Sequence, residues 1–461
     1  MSLQHLAYSF PGYEEGNGRR WDIERRTFRT LFEEDHVIAI PVFQRRYCWS
    51  VKQIQEWWRD ASGLRARRSD GTYTQNYGHG TGKCIFKYSG RVKSGRKLLV
   101  CIDGQQRCTT TQLLIAAINE ALLKTSRSYK PTAGKCLSLV KTLNDFMFRD
   151  SSKVLKWIDE WAKALTGELQ ALDIEDGKQA IREAWSKVDF QNFASIADPV
   201  LVPSYQDRKP FFTMLARGLF VHAIHEHLVA SGLGISNFDI DRLLPGPSET
   251  REGITKSYFD KMILEQLSTA EFEDQVSFLN KVAYNSLNRM SIMYCQVLQD
   301  VDLAQLFLWM QEKTLFGMGR MLFNPTPGVD FQAIDLVRNL LLAQYLDREL
   351  EFQDAMYIEK WAVPLETNGP ITDKLLASFL RTNPIEHVGS FEKSLEEMAK
   401  TTPFSLKSMF NPERGIVLYA RFVSYLETIE QSQISEKQGA SFSAADIALS
   451  LLAAHKALTA N

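Results

Sequence analysis

Apolar residues follow two different spacings along this chain of 461 residues. Two short apolar runs, at residues 36–40 and 98–102, end at Pro41 and at Asp103-Gly104, which predicts two β-strands. From Tyr129 onward the apolar spacing is mostly helical, in segments 137–148, 154–165, 180–193, 210–228 and 301–316. The pattern therefore predicts an α+β protein, in which a small mixed sheet domain is followed by a largely α-helical body.

The pentapeptide that follows the second predicted strand carries the clearest chemical signal. Gly104 permits a tight turn there, and Thr109, Thr110 and Thr111 are expected to cap the helix that comes next. N–H groups at a helix start, a guanidinium and two side-chain amides together suit an anionic ligand. We therefore predict a phosphate site lined by Asp103, Gly104, Gln105, Gln106, Arg107 and Thr109. It is not a Walker loop, because no Gly-Lys-Ser/Thr follows.

A second motif follows the first predicted strand and offers similar donors. Residues 40–49 read Ile-Pro-x-Phe-Gln-Arg-x-Tyr-x-Trp, and the residues assigned to the same phosphate site are Gln44, Arg45, Arg46 and Tyr47. Arginine is the side chain best matched to phosphate oxygens. Of all the candidates, Arg45 and Arg107 are the strongest, because an arginine within a motif at such a turn has few purely structural uses.

The net charge of −1 conceals an uneven distribution of basic residues. Between Ala61 and Ile102 there are nine Lys or Arg residues and one acidic residue, Asp70, with aromatic residues interleaved. A basic and aromatic surface is typical of single-stranded nucleic-acid binding, so we expect it to border the phosphate site and contact an RNA strand. The expected contacts are Lys83, Lys87, Tyr88, Arg91 and Lys93. The alternative is a solvated edge strand that its lysines keep soluble.

The two motifs together resemble the N-terminal domain family of GmrSD-type restriction endonucleases. The resemblance implies a ParB/sulfiredoxin-like fold for the sheet domain, and nucleoside triphosphate binding and hydrolysis in bacterial members. Weaker similarity extends through residues 203–212 and 328–341. Family members usually carry Phe-Glu-x-x-Asn-x-Arg-Gly before the latter segment, but in residues 321–328 here the Glu, Asn and Arg are absent from that register. This difference implies phosphate binding without turnover, and it favours Asp103 as a turn residue over a metal or water ligand.

A narrower resemblance follows from what the chain lacks. GmrSD-type nucleases carry a C-terminal His-based site, whereas the last hundred residues here contain only His387 and His455, without a His-x-x-Pro element. The combination resembles the paired guide-RNA-associated proteins of the kinetoplastid mitochondrial RNA-editing substrate-binding complex. It implies non-catalytic capture of the guide-RNA 5′-triphosphate, a paralogous subunit in a heterodimer that exchanges elements, a larger editing complex and a mitochondrial matrix location. No catalytic residue and no cofactor is expected, with Mg²⁺ beside the triphosphate left open.

Two other functions stay open at this level. One is an active nucleoside-triphosphate-hydrolysing defence protein, and the other is a scaffold subunit that binds no triphosphate by itself. No apolar run of about 18 residues occurs, so a membrane span is not expected. The six cysteines form no C-x-x-C pair, which favours buried thiols in a reducing compartment.

The chain is expected to divide into four parts. These are a leader with a charged helix from Asp22 to Phe32, a phosphate-binding sheet unit, a helical body that completes the pocket, and a C-terminal helical region that binds a partner. In chain order their bounds are 1–35, 36–128, 129–345 and 346–461.

Overall fold

The structure is a computed structural model of the chain. It describes residues 21–41, 44, 46–63, 66–67, 73–74, 78–92, 95–233, 238–246, 249–298, 333–345, 348–366, 372–383, 389, 392–393, 415–435 and 444–459. The chain divides into two compact units, one of residues 1–41 and 46–300 and the other of residues 42–45 and 301–461. The predicted four-part division stays a prediction.

A six-stranded mixed sheet forms the centre of the first unit. Its strands are β1 (Trp21–Thr27), β2 (His36–Ala39), β5 (His79–Arg91), β6 (Lys97–Asp103), β7 (Leu201–Val202) and β8 (Met290–Val297), and a separate pair is β3 (Ala66–Arg67) and β4 (Tyr73–Thr74). The spatial order is β1-β8-β5-β6-β2-β7. Strand β6 is parallel to β2 and antiparallel to β5, whereas β8 is parallel to β5. The sheet is therefore not confined to residues 36–128.

Helices surround this sheet, which confirms the predicted α+β class. In the first unit they are α1 (Phe28–Glu33), α2 (Val51–Gly63), α3 (Gln105–Ser128), α4 (Lys130–Met147), α5 (Ser151–Leu169), α6 (Ile174–Ser186), α7 (Ala194–Ala197), α8 (Arg208–Ala230), α9 (Ile240–Leu243), α10 (Arg251–Leu267) and α11 (Phe272–Tyr284). The predicted segments 137–148, 154–165 and 210–228 correspond to α4, α5 and α8. Segment 180–193 is helical only as far as Ser186, and segment 301–316 lies outside the described residues.

The described part of the second unit is helical. Its α-helices are α12 (Ala333–Leu342), α13 (Leu350–Tyr357), α14 (Asp373–Thr382), α15 (Gly415–Ser435) and α16 (Ala444–Thr459), and it also has a 3₁₀ turn, Ala343–Tyr345, and a π-helix, Ile358–Glu366. None of the helices in the described ranges is both long and apolar enough to cross a membrane. All six cysteines are free, and every one except the half-buried Cys48 is buried.

The expected charged helix from Asp22 is wrong over its first residues. Residues 21–27 form β1 instead, which pairs antiparallel with β8 in a register that runs from Trp21 opposite Val297 to Thr27 opposite Ser291. The Arg25 side chain donates to the Ser291 hydroxyl at 2.9 Å, across 266 positions of the sequence. Local spacing gave no sign of this pairing because the partner strand is so distant along the chain.

Helix α3 lies at the centre of the first unit and is buried along most of its length. It packs against α4, α8, α10 and α11. Its carboxylate Glu120 is buried beside two cations, since Lys256 Nζ lies 2.7 Å from Glu120 Oε2 and Arg217 bonds Oε1. Burial opposes ionisation, but Lys256 and Arg217 hold the pKa of Glu120 well below its usual value. The ion pairs therefore join α3 to both α8 and α10.

We expect Glu120→Gln to destabilise the first unit by up to about 3–5 kcal/mol, because Lys256 and Arg217 lose the buried carboxylate that they share and keep only the more exposed Asp260 and Asp241. The matched control is Lys124→Met, since Lys124 contacts the same carboxylate at 3.1 Å from a half-exposed position. That control should cost less than about 1 kcal/mol. Urea unfolding followed by circular dichroism measures both, and equal losses would contradict the assignment.

Candidate functional site

The turn between β6 and α3 begins the candidate site. Gly104 adopts φ 100° and precedes the first helical residue, Gln105, so the helix starts four residues earlier than expected. A Cβ at Gly104 would lie 2.2 Å from Cys84 Sγ, so the turn requires glycine. The expectation that Thr109–Thr111 cap the helix is wrong. Thr109 is buried inside α3, and the Thr110 hydroxyl donates to the Gln106 carbonyl at 2.7 Å.

The Asp103 carboxylate forms a hydrogen bond within its own turn. Its Oδ1 accepts a hydrogen bond from the Gly104 N–H at 2.8 Å, which is the contact expected of a turn residue. Among the described residues, no group of three His, Cys, Asp or Glu side chains is arranged to hold a metal ion. The geometry around Asp103 therefore gives it a backbone-capping role.

Gln106 connects the two sequence motifs. Its Oε1 accepts from the Cys48 N–H at 2.9 Å, and its Nε2 donates to the Arg46 carbonyl at 3.2 Å. One buried side-chain amide thereby satisfies a backbone donor and a backbone acceptor of the first motif. The start of α3 and residues 46–48 are held together at one place, although 58 positions separate Cys48 from Gln106.

The first motif divides between exposed and buried side chains. Arg46 is exposed and donates to the Gln206 side chain. Tyr47 is buried, with its N–H donating to Asp207 Oδ2 at 2.8 Å and its hydroxyl 2.7 Å from Thr110 Oγ1. Tyr47 is therefore a buried structural support of the first motif. Gln44 is buried and belongs to the second compact unit, whereas Arg45 lies outside the described residues.

Arg107 extends from the first turn of α3 onto β5. Its Nε donates to the Thr81 carbonyl at 2.7 Å and its Nη1 to the Lys83 carbonyl at 3.1 Å. The side chain thus has a structural use that the sequence did not suggest. Its remaining N–H donors have no hydrogen-bond partner among the described residues, so the half-exposed guanidinium keeps donors for an anion.

The basic residues do not border the turn as a group. Strands β5 and β6 form a hairpin in which Asp103 is opposite Ile85 and Lys97 is opposite Arg91. Lys83 therefore lies at the end of the hairpin next to the Asp103–Gly104 turn, and Arg91 lies at the opposite end. The six strand steps from Lys97 to Asp103 span roughly 20 Å at the usual rise per strand residue. Of the described basic residues, Lys83 therefore lies beside the turn and Arg91 does not, and RNA contact by these side chains stays a prediction. Lys93 lies outside the described residues.

Two of the predicted RNA-contact residues lie in the middle of the β5–β6 hairpin. Lys87 lies opposite Val100, and Tyr88 opposite Leu99, halfway along the hairpin. The Tyr88 ring packs edge-on against His36 at a centroid distance of 5.9 Å. The depression at the far end, of about 700 Å³, is lined by both basic and acidic side chains, and Arg96 there is paired with Asp35. The positive and negative side-chain charges around this depression therefore nearly cancel.

Comparison with known families now classifies the chain. The family model described as the GmrSD restriction endonuclease N-terminal domain matches residues 28–289, or 262 of the 461 residues. The chain belongs to this family. Both motifs and the Gln106 contacts lie inside the matched region. No curated protein matches the chain.

Within this GmrSD-family domain, sequence reasoning missed a buried acidic pair beneath Tyr47. Asp207 Oδ2 also accepts from the Ser204 hydroxyl at 3.1 Å, and Glu252 at the start of α10 is 3% exposed. Burial, together with the Asp207 carboxylate, raises the pKa of Glu252 to about 8. Glu252 Oε1 has no hydrogen-bond partner among the described residues. Asp207 lies within residues 203–212, which weakly resemble the family, but no local sequence pattern indicated Glu252.

Gln106→Ala should weaken the contact between the two motifs, because it leaves the Cys48 N–H and the Arg46 carbonyl without partners. We expect a loss of about 1–3 kcal/mol in the free energy of unfolding, and exchange of the Cys48 amide hydrogen at least ~10-fold faster. Gln106→Glu is the control, since it keeps the acceptor but removes the donor, and it should restore protection at Cys48 only. Unchanged exchange in the alanine variant would contradict the contact.

Glu252 should make stability fall with rising pH. Its folded-state pKa of about 8 lies above the unfolded value near 4.5, so the folded protein binds the extra proton between these limits. The wild type should therefore lose stability, at up to ~1.4 kcal/mol per pH unit, from pH 4.5 to 8 and level off above. Neutral Glu252→Gln should remove this slope.

Asp207→Asn provides the complementary test of that slope. The variant keeps an oxygen acceptor for the Tyr47 N–H but removes the neighbouring charge, so the pKa of Glu252 should fall and the sloping window should end at a lower pH. Thermal unfolding at half-unit pH steps measures all three proteins. Parallel curves for wild type and Glu252→Gln would contradict the proton on Glu252.

Proposed function

We propose that this chain binds the 5′-triphosphate of an RNA at the turn between β6 and α3 and does not hydrolyse it. The observation that carries the proposal is the junction at Gln106, whose side chain bonds the Arg46 carbonyl of the first motif next to Arg107 in the first turn of α3. Two arginines from separate motifs supply bidentate donors for phosphate oxygens.

The local electrostatics support an anionic ligand. Helix α3 runs over 24 residues, and its N-terminus directs the positive end of the helix dipole at the turn. Lys83 lies at the same end of β5 and adds a positive charge there. The acidic residue of the turn, Asp103, accepts a hydrogen bond from the Gly104 N–H.

The absence of turnover rests on the sequence of residues 321–328, which lie outside the described residues. The Glu, Asn and Arg usual in the family are absent from their register there. Membership of a restriction endonuclease family favours hydrolysis as the second candidate function. Mg²⁺ bound with the triphosphate is compatible with either function, because Mg²⁺ is often held by substrate phosphates with few protein ligands.

The narrower proposal concerns the RNA and its assembly. Retained motifs without the downstream polar residues support guide RNA of a mitochondrial editing complex as the ligand. On this proposal a paralogous subunit forms a heterodimer with the chain, exchanges elements with it and works with it in the mitochondrial matrix. The C-terminal helical region is the proposed partner-binding part.

The test compares one short RNA that carries a 5′-triphosphate, a 5′-monophosphate or a 5′-hydroxyl, at two salt concentrations. We expect at least ~10-fold tighter binding of the triphosphate, without release of free phosphate. Arg107→Ala should reduce that preference ~10- to 100-fold, the usual effect of losing charged hydrogen bonds. Arg91→Ala, at the far end of the hairpin, is the control and should leave end preference unchanged.

Other outcomes assign the protein differently. Equal binding of all three ends would overturn the proposal and favour a scaffold that holds RNA only through a partner. Steady phosphate release that Arg107→Ala abolishes would make the chain an active nucleotide hydrolase. Higher salt should weaken all three RNAs together, because backbone contacts release counterions, without removing the difference between the ends.

A further inference from the structure

Strand β5 has an irregularity beside the candidate site. Gly80 lies opposite Ser291 and Lys83 lies opposite Met293 of β8, so three steps along β5 correspond to two steps along β8. This extra residue makes residues 80–83 a β-bulge, which we call bulge 80–83. The Thr81 hydroxyl fixes the bulge to the sheet by donating to the Ser291 carbonyl at 3.1 Å.

The Arg107 guanidinium lies across this bulge. It donates to the carbonyls on both sides of Gly82, those of Thr81 and Lys83. Gly82 has φ +110°, and a Cβ at that position would lie 2.9 Å from Arg107 Nη2. The positive φ favours glycine at this position, and a Cβ there would displace the end of the Arg107 side chain.

We propose that bulge 80–83 is a positioning element that fixes the Arg107 guanidinium for phosphate binding. This inference rests on the proposed function. A free arginine side chain loses considerable rotamer freedom when it binds an anion, and a guanidinium that is already fixed loses less. Two backbone carbonyls hold Nε and Nη1 here, and the other N–H donors remain for a phosphate oxygen.

Another glycine of this sheet region provides a matched control. Gly95 also has positive φ, +83°, but a Cβ there would meet nothing within 4 Å. Gly95→Ala therefore imposes backbone strain alone, and Gly82→Ala imposes strain together with displacement of Arg107.

The experiment measures the preference for 5′-triphosphate over 5′-hydroxyl RNA in the full chain, with thermal unfolding of each variant. We expect Gly82→Ala to reduce the preference ~10-fold, and Gly95→Ala, outside the bulge, to change it less than ~2-fold. Gly82→Asn is the second variant, because asparagine tolerates positive φ better while it adds the same Cβ. It should reduce the preference as alanine does and unfold at a higher temperature.

A double-mutant cycle separates positioning from general damage. If Gly82 acts through Arg107, then Gly82→Ala should have no further effect on end preference in an Arg107→Ala background. Full preference in both Gly82 variants, or effects that multiply in the double mutant, would overturn the inference. A wild-type protein without end preference would overturn the proposed function itself. Loss of preference in Arg107→Ala but not in the Gly82 variants would overturn the positioning role alone.

Discussion

The burial of α3, with a carboxylate in its middle, is the constraint on which the rest of the first unit depends. A buried carboxylate is costly unless cations and hydrogen bonds compensate it, and Lys256 and Arg217 do so for Glu120. Because these cations come from α10 and α8, their pairing fixes three helices relative to one another. The start of α3 lies about four turns away, so the same contacts help to place the residues of the candidate site.

The candidate site depends largely on contacts between side chains and backbone groups. Gln106 bonds the backbone of residues 46 and 48, Asp103 bonds the N–H of Gly104, and Arg107 bonds two carbonyls of β5. Such contacts fix the relative position of a strand, a helix start and a loop, but they leave charge at the surface. A site of this kind suits electrostatic recognition of phosphate, which requires fixed donors.

Two buried glutamates of the first unit have opposite charge states for a clear reason. Glu120 faces cations, which hold its pKa low, whereas Glu252 faces Asp207, and burial beside that charge raises its pKa to about 8. The first glutamate therefore stabilises the helices as an ion. The second holds a proton beneath Tyr47 of the first motif, which couples the stability of that region to pH.

The sequence alone determined what short-range patterns encode. Apolar runs gave β2 and β6, helical spacing gave most of the body, and the two motifs identified the family and the turn between β6 and α3. Tertiary structure alone decided the pairing of β1 with β8, the Gln106 contacts, the position of Arg107 on bulge 80–83 and the proton on Glu252. The reason is physical: spacing and turn preferences act over a few residues, whereas backbone pairing and pKa depend on groups that folding brings together from distant parts of the chain.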